Sequence, residues 1–161
     1  MSHDPTSLPY RQAVGVMLLN ASGRVLVGER TRDSMGALQM AQGGLKDGEE
    51  LEAGALRELR EEFGIESAKV EVVARAPAPF AYDQPSTRPS DWSAKFRGQS
   101  ATYVLARFHG SDDGIQLGPE FKRWEWVEPA TLPEITVYYK QALYEQVLLD
   151  FSHLLVPWKN T

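Results

Sequence analysis

The chain contains no cysteine. Disulfides, thiolate metal sites and a cysteine nucleophile are thereby excluded, and the composition suits a reducing compartment. No apolar run approaches the length of about 20 residues that a membrane-spanning helix requires, and no basic stretch leads into an apolar one near the start. A cytoplasmic location without membrane contact is the expectation. Positive charge is in deficit, with 17 Lys and Arg against 22 Asp and Glu and a net charge of -5. Such a chain has no global basic field to hold it along a nucleic-acid backbone, so contact with RNA is expected at its end and not over an extended surface. Repeats and low-complexity segments are also absent. What remains is 161 residues of 42% apolar composition, enough for one packed domain. Residues 1–9 read as a loose tail and 10–161 as the domain.

The most informative stretch is residues 43–65. Gly43 to Gly48 carries three glycines and an Asp, a composition for a loop and not for regular structure. Glu50 to Phe63 carries helix formers and ends at Gly64, a stop signal. On that helix Glu58, Glu61 and Glu62 are related as i, i+3 and i+4 and share one face. Leu56, Leu59 and Phe63, with Ala55 at the edge, form an apolar flank beside it. Gly54, one turn before Glu58, leaves room where a side chain would stand. Arg57 and Glu61 make an ordinary i, i+4 ion pair, but Glu58 and Glu62 repel at the same spacing. Two readings follow from the residues alone. The charges form a solvated helix face, or a hard divalent cation with oxygen ligands and phosphate partners relieves the repulsion beside a glycine-lined loop.

Around this stretch the chain alternates between strand and helix patterns. Ala13 to Asn20 is a near-continuous apolar run, Ala-Ser-Gly makes a turn, and Arg24 to Glu29 resumes, as a hairpin in a sheet buried on both faces would. Residues 30–37 read as a loop before a short extended piece, Leu38 to Gln42. Lys69 to Arg75, Ala101 to Phe108 and Phe121 to Val127 read as strands, the last with Trp124 and Trp126 on one face. Residues 76–99, rich in proline, read as a long loop, functional or mobile. Glu134 to Leu155 reads as one long helix. Interleaved in this way, the elements imply an α/β fold: a mixed sheet with helices on both faces, an α/β/α sandwich.

The central stretch resembles the Nudix hydrolase signature, G-x5-E-x7-R-E-U-x-E-E-x-G-U with U apolar. Each specified position is filled, by Gly43, Glu49, Arg57, Glu58, Leu59, Glu61, Glu62, Gly64 and Ile65. The resemblance implies a magnesium-dependent hydrolase, with manganese a possible substitute, that cleaves a diphosphate linkage in a nucleoside diphosphate derivative. It further implies that Glu58, Glu61 and Glu62 ligate metal with help from the Gly43 carbonyl, and that Arg57 and Glu49 hold loop to helix and orient the ligands.

Outside that stretch, Tyr10-Arg11, the run Leu38 to Gly44, Gly98-Gln99, Pro119-Glu120-Phe121 and Val137-Tyr138-Tyr139-Lys140 resemble segments of one branch of that family. The branch holds the bacterial RNA pyrophosphohydrolases and dinucleoside polyphosphate hydrolases. Carried over, Glu120 binds metal or activates water, with Glu61 the other candidate base. Arg11, Gln42 and Lys140 contact the substrate, and Tyr139 stacks on a base. Read without the resemblance, Tyr139 is equally a core residue, and Arg11 and Lys140 are surface charges. The chain departs from the branch where relatives usually carry Trp and Pro, here Leu38 and Ala41, and where they carry Gln-Lys, here Ala101-Thr102. The lysine helps hold phosphates. The implied activity is pyrophosphohydrolysis of a 5′-triphosphate RNA end or a dinucleoside polyphosphate. The alternatives are hydrolysis of a nucleotide sugar or nucleoside triphosphate, and a nucleotide-binding module without catalysis.

Overall fold

A computed structural model describes residues 7–32, 35–85 and 95–159. The first six residues of the tail and the middle of the expected 76–99 loop lie outside them. Eight strands form one mixed sheet: β1 Tyr10–Leu19, β2 Val25–Arg30, β3 Leu38–Gln39, β4 Ala41–Gly44, β5 Val70–Arg75, β6 Phe80–Asp83, β7 Gly98–Phe108 and β8 Phe121–Val127. Among the described residues three α-helices accompany them, α1 Leu51–Phe63, α2 Leu132–Ile135 and α3 Gln141–Asp150. At the centre β1 and β7 run parallel, from Tyr10 opposite Gly98 to Leu19 opposite Arg107, and every other pairing among the described residues is antiparallel. No helix among the described residues is long and apolar enough to cross a membrane.

The continuous apolar run of β1 is explained by its two buried faces. Val14, Val16 and Leu18 face the layer of α1, where they join Ala55, Leu59, Phe63, Val104 and Phe121. Ala13, Met17 and Leu19 face the opposite layer, with Tyr103, Leu105, Leu143, Tyr144 and Phe151. This is the α/β/α arrangement with the α1 helix on one face of the sheet and α2 and α3 on the other. Trp124 and Trp126 do share a face and meet edge to face, their ring centroids 6.3 Å apart.

Three local expectations need correction. The strand before the glycine loop does not stop at Gln42, because Gly43 and Gly44 pair with Val14 and Ala13 as the end of β4. Glycine stands there for a reason of packing: a Cβ on Gly43 would lie 2.2 Å from the Glu58 carboxylate, and one on Gly44 would lie 2.3 Å from the Arg11 guanidinium. Within 76–99, residues Phe80–Asp83 form β6, which pairs with β7 from Phe80 opposite Ala101 to Asp83 opposite Gly98. Its short alternation, with Phe80 and Tyr82 turned to the core, is masked in the sequence by the prolines around it. The expected helix over Glu134 to Leu155 is broken in two. Ile135, Thr136 and Val137 are β-branched in succession and favour extended backbone, Thr136 adopts ψ 175°, and a tight turn over Tyr138–Lys140 precedes α3.

Helix α1 ends where Gly64 takes a left-handed conformation, φ 66°, and donates its N–H to Arg60. A Cβ at Gly64 would stand 2.4 Å from the Gln116 carbonyl oxygen. Gly64→Ala is expected to lower unfolding stability by about 2 kcal/mol through the left-handed backbone and the clash, read as a shift of the denaturant midpoint without a change of slope.

Candidate active site

The buried side of α1 is not purely apolar. Gly54, Ala55 and Leu59 are buried, but so are Glu58 at 6% exposure and Glu62 at 1%, whereas Leu56 is only half-buried. The acids therefore lie within the packed side of the helix and not merely next to it. The space beside Gly54 is filled by Leu45 of the glycine loop, whose methyl carbon would be 2.7 Å from an added Cβ. Glu61, at the outer edge of the same acidic arc, stays exposed.

Arg57 organises the cluster. Its Nε and Nη2 donate to the two oxygens of Glu49, each at 2.8 Å, and Nη2 also donates to the Gly44 carbonyl at 2.9 Å. Nη1 donates to Glu58 at 2.7 Å and to Glu61 at 3.2 Å. All the N–H donors of the guanidinium are thus engaged, tying helix, loop and the end of β4 together. Glu49 also accepts the Lys46 N–H at 3.1 Å, closing the loop on itself. The fork of Arg57, with the Lys46 N–H in support, pulls the Glu49 carboxyl down to about 2. Burial raises the Glu58 carboxyl, and Arg57 opposes that rise.

Glu62 is in the most confined setting. Oε1 accepts the Gln42 N–H at 2.9 Å, whereas the buried Oε2 has no hydrogen-bond partner in the protein. Burial first, then the neighbouring carboxyls of Glu120 and Glu58, raise its pKa well above the ordinary value. Two carboxylates in contact need a proton or a cation between them. Glu120 comes from the far side, at the corner before β8. There its carbonyl accepts the Thr31 N–H at 2.9 Å, and Arg30 reaches its carboxylate at 3.8 Å.

These groups border one polar depression at the end of the sheet. Gln42, Gly43, Gly44, Glu58, Glu61 and Glu120 line it, with Arg11, Arg30, Lys46 and Lys140 supplying positive charge. Arg11 lies flat over Gly44, and Lys140, 4% exposed, sits 6.0 Å from the centre of the Tyr82 ring. Thus Arg11, Gln42, Gly43, Arg57, Glu58, Glu61, Glu120 and Lys140 are brought to one wall, while Glu49 and Glu62 stand behind it. Tyr139 does not border the depression. It stacks on Tyr82 with ring centroids 6.3 Å apart and meets Tyr138 edge to face at 5.3 Å. Thr102 is in the central strand opposite Val14, away from the wall.

Arg30 and Lys46 border the depression without having been singled out in the sequence, and Gln99, quoted only as part of a family segment, borders it too. Lys46 could have been found as a cation inside the glycine loop. For Arg30 the only signal was a cation immediately after a buried strand.

The donor set is all oxygen: two buried carboxylates, two exposed ones and strand carbonyls, with one buried oxygen lacking a partner. That chemistry suits a hard divalent cation. Among the described residues no three acidic or histidine side chains stand in a closed coordination cage, because Arg57 draws Glu58 and Glu61 onto its own N–H groups.

Comparison with known proteins gives a consistent picture. The family model described as NUDIX domain matches residues 9–147. The chain is 44% identical over 156 residues to the RNA pyrophosphohydrolase of Dinoroseobacter shibae, covering 94% of this chain and 98% of that protein. It is 45% identical over 154 residues to the RNA pyrophosphohydrolase of Novosphingobium aromaticivorans, covering 92% and 96%. Among solved structures, a Nudix hydrolase from M. smegmatis matches with TM-score 0.68 at 16% identity, covering 95% of this chain and 91% of that one. An Ap4A hydrolase from C. elegans, in a binary complex, matches with TM-score 0.65 at 18% identity, covering 89% and 99%.

A group whose folded pKa is depressed stabilises the fold above its unfolded value and loses that contribution as pH falls through its folded value. For Glu49 the window runs from its ordinary 4.5 down to about 2. Glu49→Gln is expected to be less stable than the parent at pH 7, with the gap closing between those two values, as read by denaturant unfolding at a series of pH values.

Proposed function

Since the chain belongs to the NUDIX domain family, we propose that it is a divalent-cation-dependent pyrophosphohydrolase whose preferred substrate is a 5′-triphosphate RNA end, with dinucleoside polyphosphates as the second class. The observation that carries the reading is the buried Glu62 Oε2, which has no hydrogen-bond partner, behind a depression lined by Glu58, Glu61, Glu120 and a rim of Arg and Lys. Such an oxygen is costly to bury unless a cation or proton meets it. The branch, and with it the RNA end, is supported by the names of relatives at 44% and 45% identity over nearly their full length.

In this reading Glu58, Glu61, Glu62 and Glu120, with the Gly43 carbonyl, hold magnesium, or manganese in its place. When bound, the cation neutralises phosphate charge and promotes attack by water on phosphorus. Arg11, Arg30, Lys46 and Lys140 hold the non-bridging phosphate oxygens and align the chain. The carboxylate that takes the proton from the attacking water must be reachable by solvent and poorly paired, which suits Glu120 and Glu61 better than the buried Glu62. Arg57 and Glu49 keep the acids in place without touching substrate, and Gln42 supplies the N–H that holds Glu62. Tyr139, stacked on Tyr82 outside the depression, is left without a substrate role in this reading. With RNA as substrate, cleavage releases pyrophosphate and leaves a 5′-monophosphate.

A panel of triphosphorylated short RNA, diadenosine tetraphosphate, a nucleotide sugar and free nucleoside triphosphates, each with magnesium, separates the classes. RNA is expected to be turned over with the highest kcat/KM. Glu61→Gln and Glu120→Gln should each cut kcat by about 10²-fold or more with the fold intact, the scale of a lost general base or ligand. Recovery of every substrate unchanged after long incubation would leave only nucleotide binding. Preference for the sugar or the free triphosphates would move the chain to another branch of the family.

A further inference from the structure

Behind the wall of the depression lies a line of buried hydroxyl and amide groups that phosphate binding does not by itself demand. Tyr103 is 1% exposed and its O–H donates to Gln42 Oε1 at 2.6 Å. Gln42 Nε2 donates to the Tyr82 oxygen at 2.7 Å and to Gln99 Oε1 at 3.3 Å, so the amide is held at both ends. On its other side the Tyr103 ring meets the ring of Tyr144 from α3 edge to face, their centroids 6.4 Å apart, and the Tyr144 hydroxyl accepts the Met40 N–H at 2.8 Å. Two phenols thus take hold of the chain two residues apart, one at the Met40 peptide and one at the Gln42 side chain. Between α3 and the acid cluster runs a chain of contacts, ring against ring at Tyr144 and Tyr103, then phenol to the Gln42 side chain, ending where the Gln42 N–H meets Glu62.

A glycine in the middle of β1, amid an apolar run, weakens a strand and calls for a cause. Gly15 has one: a Cβ there would lie 2.1 Å from Cζ of Tyr103, so the phenol ring lies directly on the strand backbone. The hydroxyl is thereby fixed by packing from below and by its bond to the Gln42 amide. A buried amide with its partners satisfied has one orientation, and a network of this kind rigidifies what it touches.

We propose that Tyr103 is a positioning residue for the acid cluster: seated on Gly15, it fixes Gln42 and through the Gln42 N–H holds Glu62 in place. This rests on the reading of Glu62 as a cation ligand for its effects on metal affinity and turnover. The effect on the Gln42 peptide is independent of it. Residues that act through a metal ligand commonly change metal affinity by about 10- to 100-fold when altered.

The test is Tyr103→Phe, which keeps the ring and removes the oxygen. Expected are a loss of manganese affinity of about 10-fold or more without substrate, seen by titration calorimetry, and a comparable loss of kcat with KM for the polyphosphate nearly unchanged. In a Gln42→Met background the same substitution should add less than about 2-fold, since residues that act in series are not additive. In metal-free protein the Gln42 backbone amide should exchange slowly in the parent and measurably faster in Tyr103→Phe. Equal manganese affinity and kcat in parent and variant, full additivity with Gln42→Met, or an unchanged Gln42 amide would each overturn the proposal. A parent that binds no manganese and turns over no polyphosphate would sink the proposed function instead, leaving the positioning claim to stand or fall on the Gln42 amide.

Discussion

One guanidinium carries the local architecture. Arg57 is anchored on α1, yet its donors reach forward to the loop at Glu49, sideways to the β4 carbonyl of Gly44 and back along its own helix to Glu58 and Glu61. Planarity and a fixed fork allow this, and a lysine in the same place could not do it. Without that charge, the acids on the buried side of the helix would repel one another and the loop would have no partner at its centre. The positive charge makes a dense group of carboxylates tolerable before any cation arrives.

The burial of those acids depends in turn on backbone approach. Gly43 and Gly44 end β4 as ordinary strand residues, and their missing side chains admit the Glu58 carboxylate on one and the Arg11 guanidinium on the other. An acid from the α1 layer and a base from the end of β1 thereby come within one residue of each other on the strand. The end of the sheet is where the two layers can meet, because no strand continues to separate them. Lys140 joins them through the break between α2 and α3, since the turn at Tyr138–Lys140 brings it over the Tyr82 ring. An unbroken helix would have lacked that turn.

Tyr103, Gln42 and Tyr82 extend the same logic into the core. Polar groups at that depth need partners, and here each serves another: phenol to amide, amide to phenol, peptide to carboxylate. The core behind the acids is therefore a hydrogen-bonded frame and not only an apolar support.

The sequence alone determined a good deal. The period of the apolar residues, the position of Gly64 and the spacing of Glu58, Glu61 and Glu62 on one helix followed from local geometry, and so did the sheet buried on both faces. Such features rest on interactions between residues a few positions apart, or on the buried nature of a whole strand. Other features only the tertiary structure decided. Trp124 and Trp126 could be assigned to a face, but β6 could not be seen, because four residues among prolines become a strand only when β7 offers an edge to pair with. Nor could the helix break at Thr136 be read with confidence against its apolar neighbours. The partition of the acids, two buried and one exposed, depended on which side of α1 met the sheet. Arg30 reached the site because β2 and the corner before β8 are neighbours in the sheet, and Tyr103 met Gln42 because β7 and β4 flank β1. Contacts between distant parts of the chain are set by the sum of all packing at once, and no local window of sequence contains that sum.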